Sequence, residues 1–293
     1  MTRTVSTALV ILGALGVHVA PVHSQFAPQA GQPGSTAMGA DSAVFRDWAI
    51  SCNVYRGHKN IAQPDSGRAS AGTSIYATGK SDGPLTVSLG DSGIAILQFS
   101  APFHDGPGYD FAVFENGFLQ GEHAFLELAF VEVSSDGINY FRFPSVSLTD
   151  TSSQVESFGT LDATRIHNLA GKYIAGYGVP FDLADLPDTA ALDKSAVSHI
   201  RVVDVVGSID PQIGSRDSQG NLINDPWPTP FESSGFDLEA IGIIHSNIPV
   251  GISLPKSRNQ WMNEGCFDLT GRPVSCDTKG KIIIRNGEKV YQY

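Results

Sequence analysis

Acidic side chains occur in short-range pairs along the middle of the chain, and these pairs are the residues best suited to chemistry. Asp237 and Glu239 alternate along one predicted strand, which places both side chains on the same face of that strand. Asp110 and Glu115 lie around another predicted strand, and Asp204 and Asp210 flank the segment VVGSI (205–209). Carboxylates so close together repel one another unless they share a cation or a proton. The spacing therefore points to bound cations or to perturbed acids.

A loop rich in oxygen side chains strengthens the expectation of a cation. Residues 217–225 (DSQGNLIND) place Asp217, Asn221 and Asp225 around a Gly turn. Calcium takes six to eight oxygen ligands in irregular geometry, which suits side chains scattered over loops. The sequence does not contain the twelve-residue EF-hand pattern, so that class of calcium site is excluded. We therefore predict calcium as a cofactor, with ligands drawn from Asp110, Glu115, Asp204, Asp217, Asn221, Asp225, Asp237 and Glu239. The alternative is an ordinary hairpin at 217–225, with the other acids in turns or paired with Arg142 and Arg201.

Aromatic residues in predicted loops are candidates for contact with a ligand. They are Trp227 between two prolines, Tyr109 in GPGYD, and Tyr173 and Tyr177 in a Gly-rich segment. Aromatic faces stack on sugar rings and on other planar groups. The alternative is that each ring packs over the end of the fold.

Enzymatic motifs are weaker, and we predict no catalytic residue. The GDSG sequence at residues 90–93 resembles a nucleophile loop, but it separates two alternating segments and is predicted to be a hairpin turn. Glu127 and Glu132 are five residues apart in one predicted strand, so they face opposite sides and cannot act together on one sugar. The histidines form no HExxH motif, which argues against a zinc enzyme.

The charge balance excludes one class of partner. The net charge is −11 and the isoelectric point is near 5.0, so we expect no nucleic-acid partner. From residue 251 onward, however, seven Lys and Arg outnumber four Asp and Glu, so this tail is basic. The acidic surplus is therefore concentrated in the body of the protein.

Alternating apolar and polar segments bounded by Gly, Pro, Asn and Asp fill residues 76–245. The clearest is VEVSSDGINYFRF (131–143), in which Asp136-Gly137 predicts a tight β-hairpin. Between residues 152 and 194 the alternation weakens, which predicts a loop-rich insertion with one or two helical turns. Because no β-α-β alternation occurs, we predict an all-β, two-sheet β-sandwich of jelly-roll type with a small C-terminal β-hairpin region.

The predicted organisation has four parts. Residues 1–24 are predicted to be a secretory signal peptide, with Arg3, an apolar stretch at 8–20 and small residues before Gln25. A flexible segment (25–45), the sandwich domain (46–248) and a C-terminal tail (249–293) follow. We therefore expect a secreted protein.

Three cysteines leave the disulfide pattern open. Cys266 and Cys276 flank a short turn in the tail and are the favoured pair, leaving Cys52 over. A bond from Cys52 to one tail cysteine is the alternative.

The tail also carries a resemblance. FDLTGRPV (267–274), KGKIII (279–284) and GEKV (287–290) resemble the C-terminal sorting domain of the Bacteroidetes type IX secretion system. That resemblance implies passage through the outer membrane, contact with the secretion and attachment machinery, and a place on the outer cell surface. The alternative is a terminal β-hairpin that packs on the body and has no role in sorting.

The body resembles an uncharacterised group of secreted bacterial cell-surface proteins. The resemblance rests on GPGYDFAVFENGF (106–118), on 125–145, on NLAGKYIAGYGVPFDLADL (168–186) and on SGFDLEAIGII (234–244). The hairpin at 131–143 also resembles those of discoidin-like and carbohydrate-binding jelly rolls. Neither resemblance implies a particular activity.

The sequence as a whole favours a secreted binding or adhesion protein that recognises an extracellular glycan or small-molecule nutrient and is stabilised by calcium. A carbohydrate-active hydrolase or lyase is the first alternative. A non-catalytic structural protein of the cell envelope is the second.

Overall fold

The computed structural model describes residues 26–83 and 85–248, together with four strands of the C-terminal tail. The predicted signal peptide lies outside the described residues. In the part of the chain that is described, no helix is long and apolar enough to cross a membrane.

The first sheet is antiparallel and contains six strands. Their order is β1 (Met38–Gly39), β13 (Tyr177–Phe181), β6 (Phe111–Glu115), β15 (Asp237–Ile243) and β2 (Asp47–Trp48), with β4 (Val87–Ser88) also paired to β15. Strands β6 and β15 are buried along their whole length. They therefore form the centre of this sheet, and their ends are fixed in position.

The second sheet is antiparallel and contains five strands. Their order is β10 (Phe141–Arg142), β9 (Ala129–Ser134), β14 (Val197–Asp204), β5 (Ile94–Phe103) and β3 (Ser51–Tyr55). Shorter strands are β7 (Phe118–Gln120), β8 (His123–Phe125), β11 (Val146–Ser147) and β12 (Ile166–His167). Four 3-10 turns cover Pro64–Ser66, Ser74–Ala77, Ala163–Arg165 and Leu183–Asp185.

One apolar core joins the two sheets. Val113 and Ile241 from the first sheet pack in the same cluster as Leu97, Val131 and Ile200 from the second. Each fully buried side chain of this kind contributes about 1.5–3 kcal/mol to folding. The all-β sandwich predicted from the sequence is confirmed.

The predicted hairpin at 131–143 is present, but its turn is wider than expected. Strands β9 and β10 pair through Val133 and Phe141, which leaves a loop of several residues between them. The Asp136 carboxylate closes this loop by accepting hydrogen bonds from the backbone N–H groups of Ile138 and Asn139, each at 2.8 Å. A side chain thus replaces the tight backbone turn.

The segment at 90–93 is not a hairpin turn. Strand β4 before it pairs in the first sheet, and strand β5 after it pairs in the second. The segment therefore crosses from one sheet to the other, which two alternating segments alone do not reveal. Ser92, with φ of 61°, directs its backbone N–H to Asp204 at 2.9 Å.

Two other segments are more ordered than the sequence suggested. The insertion at 152–194 supplies β13, a strand of the first sheet, as well as two 3-10 turns. In the expected flexible segment, Gln29 is buried and its amide donates to the carbonyl of Lys172 at 3.2 Å. Residues 26–45 therefore pack on the sandwich.

The described strands of the tail form a sheet of their own. Its order is β17 (Pro273–Val274), β16 (Cys266–Phe267), β18 (Ile282–Arg285) and β19 (Glu288–Tyr291). Strands β18 and β19 form the predicted terminal hairpin. Cys276 lies outside the described residues, so the disulfide stays a prediction. Cys52 is a free, buried thiol, and burial raises its pKa to about 12.

Candidate functional site

Four phenylalanines surround a small cavity at one end of the sandwich, which we call the phenylalanine pocket. Phe118 and Phe125 face each other across the β7–β8 hairpin with stacked rings 5.1 Å apart. Phe158 stacks on Phe231 at 5.7 Å and lies 6.4 Å from Phe125. Phe118, Phe158 and Phe231 are 51%, 64% and 43% exposed, respectively. Rings this exposed are available to an incoming ligand.

Polar groups line the inside of this pocket, which has a volume of about 210 Å³. The pocket is lined by Asn116, Phe118, Phe125, Glu127, Ser157, Phe158, Thr229, Phe231, Ser233 and Asp237. Asn116 follows strand β6, Asp237 begins β15, and Glu127 precedes β9. Ends of strands from both sheets therefore hold the polar groups beneath the rings.

Asp237 is well supplied with hydrogen bonds. The Asn116 side-chain amide donates to one oxygen at 3.0 Å, and the Ser88 hydroxyl donates to the other. Burial raises the pKa of Asp237, while these bonds and the positive charge of Arg56 oppose the rise. Asp237 is thus fixed in one orientation at the wall of the pocket.

Glu127 lacks such support. Its side chain is 5% exposed, and no described residue donates a hydrogen bond to it. Burial, followed by the negative charges of Asp237 and Glu115, raises the pKa of Glu127 well above its usual range. Gly171, with φ of +81°, fixes the backbone here, because an added Cβ would lie 1.8 Å from the Glu127 carbonyl oxygen.

Glu115, the last residue of strand β6, does not line the pocket and is 1% exposed. One of its carboxylate oxygens accepts the backbone N–H of Gly117 at 2.7 Å. The other oxygen has no hydrogen-bond partner among the described residues. Burial and then the charge of Asp237 raise its pKa well above normal. Two of the three acids at this end of the sandwich are therefore incompletely satisfied.

Two other predicted ligands, Asp204 and Asp225, are bound to backbone groups instead. Asp204 accepts N–H groups from Ser92 at 2.9 Å and from Phe236 at 2.7 Å. Asp225 accepts the N–H of Leu128 at 2.9 Å. Burial is the main cause of a strongly raised pKa in both acids. Their contacts tie loops to strands within the fold.

Asp217 and Asn221 form the hairpin that was the alternative to a calcium loop. The Asp217 carboxylate accepts the N–H groups of Gln219 and Asn221, each at 2.9 Å, and that of Ser147 at 3.0 Å. Burial opposes ionisation of Asp217, but these hydrogen bonds outweigh it and lower its pKa. The carboxylate thus closes a turn.

A different acidic group is the most compact one in the described part of the chain. Asp105, Asp110 and Asp182 bring ligand atoms within 4.8 Å of one another, and no other described set of three or more His, Cys, Asp or Glu does so. Asp110 already bonds the N–H groups of Gly106 and Leu183 and the His245 ring, at 2.7–2.8 Å.

Among the described residues, no three of the predicted acidic calcium ligands bring their oxygens within 4.8 Å of one another, and only Asp110 belongs to the compact group. The last of them, Glu239, accepts the Ser81 hydroxyl at 2.7 Å beside a separate cavity of about 970 Å³. Arg142 and Arg201, weighed as partners of the candidates, both bind Glu132 instead.

The predicted aromatic contacts lie elsewhere in the fold. The Trp227 indole N–H donates to Asp91 at 3.0 Å, which ties the ring to a buried acid. Tyr109 and Tyr173 line a cavity of about 350 Å³, and the Tyr173 hydroxyl is 2.8 Å from that of Thr36. Tyr177 lines the cavity beside Glu239.

The sequence analysis missed the four phenylalanines of the pocket. Phe118 and Phe125 could have been found, because the short segment between them is compatible with a hairpin. Phe158 and Phe231 come from distant loops without regular spacing, and only the folded chain brings them together.

Comparison with known proteins gives no relative for this chain. No protein-family model, curated protein or solved structure matches it. The geometry of the pocket is therefore the main guide to function.

Proposed function

We propose that this chain is a secreted cell-surface binding protein that holds one ring of an extracellular glycan, or a small molecule of similar size, in the phenylalanine pocket. The supporting observation is the combination of exposed aromatic rings above fixed polar groups, which is how proteins bind amphipathic ligands. The pocket is smaller than the roughly 300–1,000 Å³ of sites for drug-sized ligands. It therefore suits a single ring or head group.

Export and surface attachment are supported by the sequence. The first 24 residues have the pattern of a secretory leader, and the tail resembles a type IX sorting domain. We propose that the tail directs the protein through the outer membrane to the cell surface. Calcium stays a prediction. The compact group of Asp105, Asp110 and Asp182 is not in itself evidence of a bound ion, and both oxygens of Asp110 already accept backbone N–H groups.

The test is a binding screen of the full chain against a glycan array and a small-molecule nutrient library, with Phe158→Ala and Phe231→Ala as variants. We expect retention of at least one ligand by the unmodified chain and at least tenfold weaker binding by each variant. Tyr55→Ala is the matched control, because Tyr55 is 63% exposed and does not line the pocket. Binding that is unaffected by both pocket variants would contradict the proposal.

A hydrolase is the second candidate, favoured by one observation. Glu127 and Asp237 line the same pocket, and both have raised pKa values. Glycosidases use two such carboxyl groups, one of them protonated at neutral pH. This candidate predicts product release from a bound glycan and its loss in Glu127→Gln. Saturable binding without any product would reject the hydrolase and retain the binding function.

A further inference from the structure

The phenylalanine pocket contains two acidic side chains, Glu127 and Asp237, without a described basic side chain beside them. No Lys, Arg or His is among the described residues that line it. Arg56 acts on Asp237 from outside the lining, and its guanidinium donates to the carbonyls of Ala71, Gly72 and Ser88. Among the described residues, therefore, no basic side chain forms an ion pair with Glu127.

Such an arrangement costs free energy in the unliganded protein. A buried carboxylate is unfavourable unless it is paired or hydrogen-bonded. Glu127 lines the pocket with no described hydrogen bond to its carboxyl group, and one oxygen of Glu115, whose charge acts on Glu127, has no described partner either. A neutral ligand could donate a hydrogen bond to Glu127 but would bring no positive charge, whereas an ammonium group would favour the ionised carboxylate and pair with it.

The rim of the pocket favours the same kind of ligand. The face of an aromatic ring carries negative electrostatic potential, and rings that surround a site attract ammonium groups. Phe118, Phe125, Phe158 and Phe231 form a continuous series of ring contacts at 5.1, 6.4 and 5.7 Å. The rings and the carboxylates therefore select for one property, positive charge on an apolar or ring-shaped group.

We propose that the ligand of the phenylalanine pocket is an organic cation whose ammonium group pairs with Glu127. This inference rests on the proposed binding function and specifies its ligand class. Phe158 and Phe231 enclose the apolar part of the ligand, and Asp237 adds a second negative charge at the wall. An amino sugar satisfies both the ring and the charge.

The experiment compares probes that differ in charge but little in shape. Isothermal titration of the full chain uses choline against 3,3-dimethylbutan-1-ol, and glucosamine against glucose. We expect at least one cation to bind ten times or more tightly than its neutral counterpart. In Glu127→Gln this preference falls to less than threefold. Phe158→Ala lowers the affinity for the cation about tenfold, and the cation still binds more tightly than its neutral counterpart.

Glu156→Gln is the matched control, because it removes one exposed negative charge from a residue that does not line the pocket. It should leave the preference intact, and thermal melting of each variant establishes that it is folded. Equal affinity for both members of each pair, or a preference that survives Glu127→Gln, overturns the inference. Neutral glycans that bind through the phenylalanines would then still uphold the proposed function. The failure of every probe and glycan would remove both.

Discussion

Buried acidic side chains at two places in this protein carry the same chemical group but have different hydrogen-bond partners. Asp204 and Asp217 are buried, and each accepts two or more backbone N–H groups, at least one of them from a distant part of the chain. Glu127 is equally buried and accepts no hydrogen bond from a described residue. The supply of hydrogen-bond donors therefore separates acids that hold the fold together from an acid that is left for a ligand.

Gly171→Ala should have the largest effect, because Gly171 lies directly against the backbone of Glu127. The new Cβ would lie 1.8 Å from the Glu127 carbonyl oxygen at a positive φ. We expect a loss of more than about 3 kcal/mol in the free energy of unfolding, measured with urea. Gly176→Ala is the matched control, with φ of +82° and nothing within 4 Å of its Cβ. Equal losses in the two variants would show that backbone strain alone is responsible.

Asp204→Ala should follow in size. The substitution leaves the N–H groups of Ser92 and Phe236 buried without an acceptor, at about 1–3 kcal/mol each. We expect urea unfolding to show a loss of about 2–6 kcal/mol. Asp193→Ala, which removes an exposed carboxylate, should cost much less. A negligible loss in Asp204→Ala would mean that its hydrogen bonds do not stabilise the fold.

Lys172 is a buried basic side chain, and it tests how burial changes the pKa of a group with a single described hydrogen-bond partner. Burial lowers its pKa to about 8, although its ammonium donates to the Ile166 carbonyl at 2.7 Å. In the unfolded chain the pKa is about 10.4, so between these values the unfolded state binds more protons and stability rises with pH. We expect this rise to amount to about 2–3 kcal/mol.

The measurement for Lys172 is urea unfolding at pH 7.5, 9 and 10.5, with Lys172→Met as the reference. The difference between the two proteins isolates this lysine from other groups that titrate in the same range. Parallel curves for the two proteins would contradict the assigned role of burial.

Removal of calcium tests the expectation that the sequence raised. If calcium binds, EDTA should lower the melting temperature by several degrees, and added calcium should restore it. Magnesium serves as the control for ionic strength. A melting temperature that EDTA leaves unchanged would reject the calcium prediction.

The sequence predicts the architecture better than the site. Alternation along 94–99 and 200–206 indicates strands, and both occur, because a half-buried strand must alternate. The same spacing shows which acids share a strand face, but it does not show which N–H groups reach them. Asp204 and Glu127 therefore look alike in the sequence. Phe158 and Phe231 belong to loops, whose meeting depends on tertiary packing.

The central claim, that Glu127 is unsatisfied by the fold, is tested most directly by urea unfolding of Glu127→Gln beside Asp204→Asn at pH 7. Both changes remove one buried carboxylate and preserve its shape. We expect the free energy of unfolding of Glu127→Gln to equal that of the unmodified protein or to exceed it by about 1 kcal/mol, because the change removes a buried acid that the fold does not supply with hydrogen-bond donors. Asp204→Asn should lose about 2 kcal/mol, because one of its two N–H donors loses its acceptor. A loss in Glu127→Gln as large as that in Asp204→Asn would contradict the account.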